Sequence, residues 1–146
     1  MNYQRFLALL PVYILFTATF ALAGFSKLIE PGVPQWFSDQ FGKTFLAQFP
    51  GLWLSFYSIA LLESLAAVLF VVSLVKGESL RPGNTTILNG GLLVSALVFC
   101  QLGFGLRLVN EFTGAFNLFM YTVGTAVAYM YVVFVTKKEP LANSQD

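Results

Sequence analysis

Long apolar segments dominate the chain and set its pattern of hydrophobic and polar positions. Four such segments, residues 6–28, 52–75, 85–109 and 115–136, are each about 22 to 25 residues long. An α-helix rises 1.5 Å per residue, so about 20 apolar residues cross the hydrocarbon core of a bilayer. The pattern therefore predicts an all-α bundle of four transmembrane helices, organised as a single integral membrane domain over residues 1–146.

Turn-forming residues separate these segments, and the first loop carries a pattern of its own. Pro and Gly occur in pairs at Pro31-Gly32 and Pro50-Gly51, on either side of that loop. Between them, apolar residues recur at roughly helical spacing: Val33, Trp36, Phe37, Phe41, Phe45, Leu46 and Phe49. Polar residues fall between these positions, which predicts an amphipathic helix lying at the membrane interface and covering one end of the bundle.

The distribution of basic residues predicts the orientation of the chain. An even number of spans places both termini on one side of the membrane. Five basic residues lie at that side and three at the other: Arg5, Lys76, Arg81, Lys137 and Lys138, against Lys27, Lys43 and Arg107. Cytoplasmic loops carry the excess of Lys and Arg, so we expect cytoplasmic termini. The first segment contains Ala21-Leu22-Ala23, a cleavage-like pattern, but it is longer than a usual signal core, which favours a retained anchor over a cleaved signal.

Small residues four apart indicate where the helices approach one another. Transmembrane helices gain contact energy when small side chains let their backbones come close. Three pairs have this spacing: Gly124 with Ala128, Gly91 with Ser95, and Ala60 with Ser64. We expect each pair to lie at a helix contact.

Composition excludes several classes of function. The chain is 57% hydrophobic and 10% charged, contains no His and has one Cys, Cys100, which we interpret as a buried apolar residue. Without His or a second Cys it has no bis-imidazole haem, no usual zinc site, no Ser-His-Asp triad and no internal dithiol. We therefore expect neither a metal nor a cofactor ligated by His or Cys. A net charge of +1 gives no electrostatic argument for nucleic acid as a partner.

Glu63 is the strongest candidate for function because it lies in the middle of the second apolar segment. Counted from the first-loop end, it lies about 16 Å along its helix, and Gln101 lies about 13 Å along the next. A carboxyl group at such depth is costly, so we expect it to pair with another group or to serve a function. Hydrocarbon favours its neutral form. Glu63 is therefore either a ligand or proton site, or a structural hydrogen-bond donor to Gln101 or a helix carbonyl. Gln101 either satisfies Glu63 or lines a ligand pocket.

The remaining candidates lie nearer the surface by the same estimate of depth. Lys27, Arg107 and Asn117 are placed about 3 to 6 Å from the first-loop end. Together with Glu63 and Gln101 they predict a polar funnel that opens on that side. The alternative for the two cations is that they extend to the interface, as long basic side chains near helix ends commonly do.

Two segments resemble the DoxX family of small four-helix bacterial inner-membrane proteins. Residues 20–28, FALAGFSKL, run into Pro31 and are similar to the family's small-Gly-x-x-Lys-Leu signature. Glu63, within the segment ALLESL, is similar to the acidic position of the family's second helix. The resemblance implies an inner-membrane location, and some members are associated with membrane oxidoreductases that use quinone. Only Lys27 and Glu63 are carried over by position.

These observations lead to three hypotheses about function. The first is an accessory subunit, rather than a self-contained enzyme, of a quinone-linked oxidoreductase, with a soluble or membrane redox protein as its partner and quinone as its ligand. The second is a small proton-coupled transporter or carrier, in which Glu63 exchanges the proton. Four helices are few for alternating access, so a carrier would be expected to form a homo-oligomer. The third is a structural membrane scaffold.

Overall fold

The computed structural model describes residues 3–81 and 84–137, and its regular elements are helices. The elements follow in the order α1 (Tyr3–Leu28), α2 (Gln35–Phe41), a 3-10 turn (Phe45–Ala47), α3 (Leu52–Val75), a second 3-10 turn (Glu78–Leu80), α4 (Thr86–Leu108) and α5 (Phe112–Lys137). Helices α1, α3, α4 and α5 are long and apolar enough to cross a membrane. The four predicted spans are confirmed, with ends that differ from the prediction by at most three residues. Lys138, one of the basic residues on which the predicted orientation rests, lies outside the described residues.

The long helices pack in the order in which they follow one another along the chain. Helix α1 packs on α3, α3 on α4, and α4 on α5, whereas α1 and α5 meet at few points. The main core is formed by buried apolar side chains from all four helices: Leu9, Tyr13, Phe16, Phe20, Ala66, Phe70, Leu88, Leu92, Val98 and Val132. Because α1 and α5 scarcely touch, a groove of about 550 Å³ remains between them.

Two of the three small-residue pairs lie at helix contacts as predicted. Gly91 lies against the Phe70 ring, since a Cβ added there would be 3.1 Å from ring carbons of Phe70. Ala60 is fully buried. The third pair is divided: Ala128 packs against the main core, whereas a Cβ added at Gly124 would meet no atom of another helix within 4 Å, and Gly124 lines the groove between α1 and α5.

The first loop forms a short helix and a separate 3-10 turn rather than one continuous amphipathic helix. Helix α2 ends at Phe41, and the backbone turns through Gly42 before the 3-10 turn begins at Phe45. The apolar side of α2 is buried, because Phe37 and Phe41 pack with Phe56 of α3 in a second apolar cluster. The loop therefore covers the first-loop end of the bundle, and its position at the membrane interface stays a prediction.

Candidate functional site

Helices α1 and α3 are in close contact at Gly24. A Cβ added at Gly24 would lie 2.7 Å from Oγ and 2.8 Å from the backbone nitrogen of Ser64. Real Cβ atoms essentially never come so close to another atom, so the absence of a side chain at Gly24 sets the separation of the two helices. Ser64 directly follows Glu63, so the contact places α1 beside the buried acid.

This contact also fixes how far each helix extends toward the first loop. The two helices run antiparallel with Gly24 opposite Ser64, so Leu28, the last residue of α1, lies near the level of Ala60. The first two turns of α3 therefore extend roughly 12 Å beyond the end of α1, at 1.5 Å per residue. Helix α2 packs against this extension through Phe56 and Ile59. The estimate of depth in the sequence analysis assumed that the helices end at one level, which the structure contradicts.

Lys27 and Glu63 form an ion pair within the bundle. The Lys27 Nζ donates to both carboxylate oxygens of Glu63, at 2.8 Å to Oε2 and 3.0 Å to Oε1, and it also lies 3.4 Å from the Ala23 carbonyl oxygen. The Glu63 side chain is 4% exposed and that of Lys27 is 21% exposed. The ammonium thus lies between the carboxylate and the surrounding space, and it compensates a charge that would be costly to bury alone.

This pairing corrects two expectations about Glu63 and Lys27. The partner of Glu63 is neither Gln101 nor a helix carbonyl but a cation from another helix. Lys27 does not extend to the interface; its side chain turns inward. The reason is the offset between the helix ends: the end of α1 lies beside the middle of α3, so the Lys27 side chain can contact Glu63 directly.

A cavity of about 610 Å³ lies on the first-loop side of this ion pair, between α2, α3 and α4. Its walls are mainly apolar, with aromatic rings from Trp36, Phe37 and Phe56. Side chains with polar groups are few among the lining residues: Lys27, Trp36, Gln40, Ser55, Ser58 and Gln101. The volume falls in the range of about 300–1,000 Å³ typical of sites for small organic ligands.

The polar groups in this cavity are linked by short hydrogen bonds. Gln101 Nε2 donates to Ser58 Oγ at 2.8 Å, and Ser58 Oγ donates to the Ser55 carbonyl oxygen at 2.9 Å. This chain uses one of the two N–H groups of the Gln101 amide. The second N–H and the amide oxygen can meet a ligand, so Gln101 can both donate to it and accept from it.

The structure places the other two candidates away from this cavity. Arg107 is exposed near the end of α4, and its guanidinium lies 4.5 Å from the centre of the Phe112 ring. Asn117 is exposed on α5 and does not line the cavity. The predicted funnel therefore reduces to Lys27, Glu63 and Gln101. Cys100, expected to be buried, is exposed on the outer side of α4.

A second buried carboxylate, Glu78, was not recognised from the sequence. It is 3% exposed and lies in the 3-10 turn at the other end of the bundle. Its oxygens accept hydrogen bonds from the backbone N–H groups of Ile87 and Leu88 and from the Ser73 hydroxyl. Ile87 and Leu88 belong to the first turn of α4, whose N–H groups have no partner within the helix. Glu78 thus caps α4 from outside the helix.

The surroundings of Glu78 form a closed polar cluster, which contains Tyr13, Ser73 and Glu78. The Tyr13 hydroxyl lies 2.8 Å from the Ser73 Oγ, and all three residues are at most 3% exposed. Arg5 is also buried at this end and donates to the Arg81 carbonyl at 2.8 Å. An acidic residue shortly before a helix start was the available sequence signal, because the N-terminus of a helix attracts negative charge.

Metal binding finds no support in the described part of the chain. Within residues 3–81 and 84–137, no group of three His, Cys, Asp or Glu side chains could hold a metal ion. The fold and site define a small multi-pass helical membrane protein with a buried ion pair beside an apolar cavity. Comparisons of the chain with models of known protein families, with curated proteins and with solved structures give no match.

Proposed function

We propose that this protein is a small membrane subunit of the DoxX type that binds a quinone in the cavity beside Lys27 and serves a quinone-linked oxidoreductase. The observation that carries the proposal is the composition of this cavity. Aromatic walls surround a few hydrogen-bonding groups, and Lys27 at the inner end holds a positive charge. The resemblance of residues 20–28 and Glu63 to the DoxX family adds support from the sequence.

The arrangement of donors suits the two carbonyl oxygens of a quinone. Gln101 retains one N–H that can donate to a carbonyl, in addition to the one that it gives to Ser58. The Lys27 ammonium has three N–H groups. The longest of its hydrogen bonds is the one to the Ala23 carbonyl oxygen, at 3.4 Å. That hydrogen bond is the one most easily redirected to a ligand, while the two contacts to Glu63 keep the ammonium in place.

The role that follows is accessory rather than self-contained. A quinone carries the redox chemistry itself, while the protein supplies binding, orientation and electrostatics. With no His and a single Cys, the chain has neither a bis-imidazole haem site nor an internal dithiol, so electrons would come from a partner protein. Glu63 would hold the Lys27 ammonium in position beside the ligand.

The two tryptophans provide a direct test of quinone binding. Trp36 lines the cavity and Trp53 does not, so Trp53→Phe leaves one tryptophan at the site and Trp36→Phe leaves one outside it. Quinones quench tryptophan fluorescence at short range. In nanodiscs titrated with a short-chain ubiquinone, we expect saturable quenching in Trp53→Phe and only linear, partition-dependent quenching in Trp36→Phe.

A site variant separates this binding from quinone dissolved in the bilayer. Gln101→Leu in the Trp53→Phe background removes the amide without adding a charge, and we expect it to weaken the saturable phase by roughly tenfold, the value of one hydrogen bond of about 1.4 kcal/mol. Quenching with no saturable phase in Trp53→Phe would contradict the proposal.

The carrier and scaffold hypotheses make different predictions for Glu63. A proton-coupled carrier predicts that purified protein in liposomes accumulates a substrate under a proton gradient and that Glu63→Gln abolishes uptake. A scaffold predicts that Glu63→Gln and Gln101→Leu leave cellular function intact. An accessory quinone subunit predicts instead that Gln101→Leu reduces electron transfer by the associated oxidoreductase, while the amount of assembled complex stays unchanged.

The proposed location is the bacterial inner membrane with both termini in the cytoplasm. The excess of basic residues at the start of α1, after α3 and at the end of α5 supports this orientation. A fluorescent protein fused after residue 146 would then fold and fluoresce, whereas alkaline phosphatase at the same position would be inactive. The opposite result would place the cavity on the cytoplasmic side.

A further inference from the structure

The outer face of α4 and α5 carries a second groove, which is separate from the cavity beside Lys27. It has a volume of about 570 Å³ and runs between the two helices near the short connection that joins them. Its walls are mostly apolar, and the lining residues are Phe99, Cys100, Gly103, Arg107, Phe112, Ala115, Phe116, Phe119 and Thr122. Neither Lys27 nor Gln101 takes part in it.

The groove has one charged end and one apolar end. Arg107 lies in the last turn of α4, at the level where the α4–α5 hairpin leaves the span. Cys100 lies seven residues earlier, about 10 Å deeper along the helix. The side chains that extend from Arg107 toward the bilayer centre are mostly apolar, with Phe116 and Phe119 on the α5 side, and the Thr122 hydroxyl there donates to the Leu118 carbonyl of its own helix. The groove therefore passes from a cation at the surface into a hydrophobic channel.

The charge of Arg107 is available to a ligand. No carboxylate of the described residues lies within 4 Å of its guanidinium, and its contact is with the face of the Phe112 ring. Glu111, the nearest acid in sequence, accepts a hydrogen bond from the backbone N–H of Gly114 and so stabilises the start of α5. A guanidinium held over a ring keeps its N–H edges free, and these edges match the oxygens of a phosphate.

We propose that this groove binds an anionic phospholipid, with the phosphate on Arg107 and one acyl chain along Gly103 and the phenylalanines of α5. Charge complementarity favours a lipid with a net negative head, such as phosphatidylglycerol. Gly103 keeps the channel open, because a larger side chain there would project between the helices. A Cβ at Gly103 would meet only the Cβ of Leu118, at 3.5 Å, which is ordinary contact.

Native mass spectrometry of the delipidated full chain tests this proposal. The protein is incubated with equal amounts of phosphatidylglycerol and phosphatidylcholine that carry the same acyl chains. Both lipids carry the phosphate, but the choline cation of phosphatidylcholine opposes Arg107, so we expect the first bound lipid to be phosphatidylglycerol by roughly tenfold. Arg107→Gln should abolish this preference. Lys43→Gln, which removes an exposed cation from the first loop, is the matched control and should keep it.

Further experiments distinguish binding through the acyl chain, binding through the headgroup and occupation of the groove by a protein. Gly103→Leu should weaken the binding of both lipids, whereas Gly103→Ala should retain it. Glycerol phosphate without acyl chains should not compete. An unchanged preference in Arg107→Gln would overturn the proposal. So would a dimer that survives delipidation and dissociates in Gly103→Leu, because the groove would then belong to a second copy of the chain.

Discussion

The two buried carboxylates of this protein, Glu63 and Glu78, are satisfied in opposite ways. Each residue as a whole is 3% exposed; Glu63 lies in the middle of α3, and Glu78 lies in the 3-10 turn that follows α3. Glu63 is compensated by Lys27, a long side chain from another helix that also lines a cavity. Glu78 is compensated by two backbone N–H groups and a hydroxyl, in hydrogen bonds that are buried or partly buried.

The difference shows which acid is suited to a ligand-dependent function. The partners of Glu78 belong to the first turn of α4 and to Ser73, so they cannot leave without unwinding a helix. Lys27 has several rotatable bonds and a fifth of its side chain is exposed. Its ammonium can shift toward a ligand and still remain near Glu63. We interpret Glu78 as a structural clamp and the Lys27–Glu63 pair as an adjustable element.

The largest expected effect tests the charge compensation at Glu63. Lys27→Met leaves the carboxylate buried without its cation, and we expect a loss of about 3 kcal/mol in the free energy of unfolding. Glu63→Leu should also destabilise the protein, because the ammonium loses its partner. The double variant removes both charges and should be close to the original protein in stability. Unfolding by dodecyl sulfate in mixed micelles, followed by tryptophan fluorescence, measures all four proteins.

The double variant is the decisive member of this cycle. If its loss of stability equals the sum of the two single losses, Lys27 and Glu63 are not energetically coupled, and the comparison with Glu78 loses its basis.

The next largest effect is expected at Glu78. Glu78→Ala removes the acceptor of two N–H groups at the start of α4, and we expect a loss of roughly 2 kcal/mol in the free energy of unfolding. Unlike the loss at Glu63, it should not be rescued by a second substitution at a single partner. Glu30→Ala, at an exposed acid, is the control and should change stability little. A Glu78→Ala protein as stable as that control would rule out the capping role.

The sequence predicted the spans well because length and hydropathy are local properties. The four helices follow from runs of apolar residues, and their ends shifted by three residues at most. The first loop was harder, because one spacing pattern covered both α2 and the 3-10 turn after it. Gly42 divides them, and the packing of Phe37 and Phe41 on Phe56 decides where α2 ends. That contact joins α2 to α3, so the local sequence of the loop does not reveal it.

The candidate site was predictable in its members but not in its pairing. Glu63, Lys27 and Gln101 were each identified from depth or from the resemblance to the DoxX family. Their relation depended on the register of α1 against α3, which follows from one close approach at Gly24. Counting residues from helix ends cannot give this register. Glu78 was missed because two of its three partners are backbone N–H groups, which the sequence does not reveal.

Gly24 itself gives the third prediction. In Gly24→Ala the new Cβ would meet Ser64, and we expect α1 to move outward with a loss of about 1.5 kcal/mol in the free energy of unfolding. The coupling between Lys27 and Glu63 should fall as well. Gly90→Ala is the matched control, because no atom lies within 4 Å of its added Cβ, and it should be neutral or gain up to about 1 kcal/mol. Equal behaviour of the two variants would show that Gly24 does not set the helix separation.

The smallest effect compares one hydrogen bond in each region. Tyr13→Phe removes a buried hydroxyl from the cluster around Glu78, and we expect a loss of about 1 kcal/mol in the free energy of unfolding. Gln101→Leu removes the amide that donates to Ser58, in a cavity that is partly open. It should leave stability nearly unchanged and alter quinone quenching instead. The opposite result, a stable Tyr13→Phe and an unstable Gln101→Leu, would contradict the comparison. It would show that the cavity belongs to the structural core and that the hydrogen bond of Tyr13 is not needed for stability.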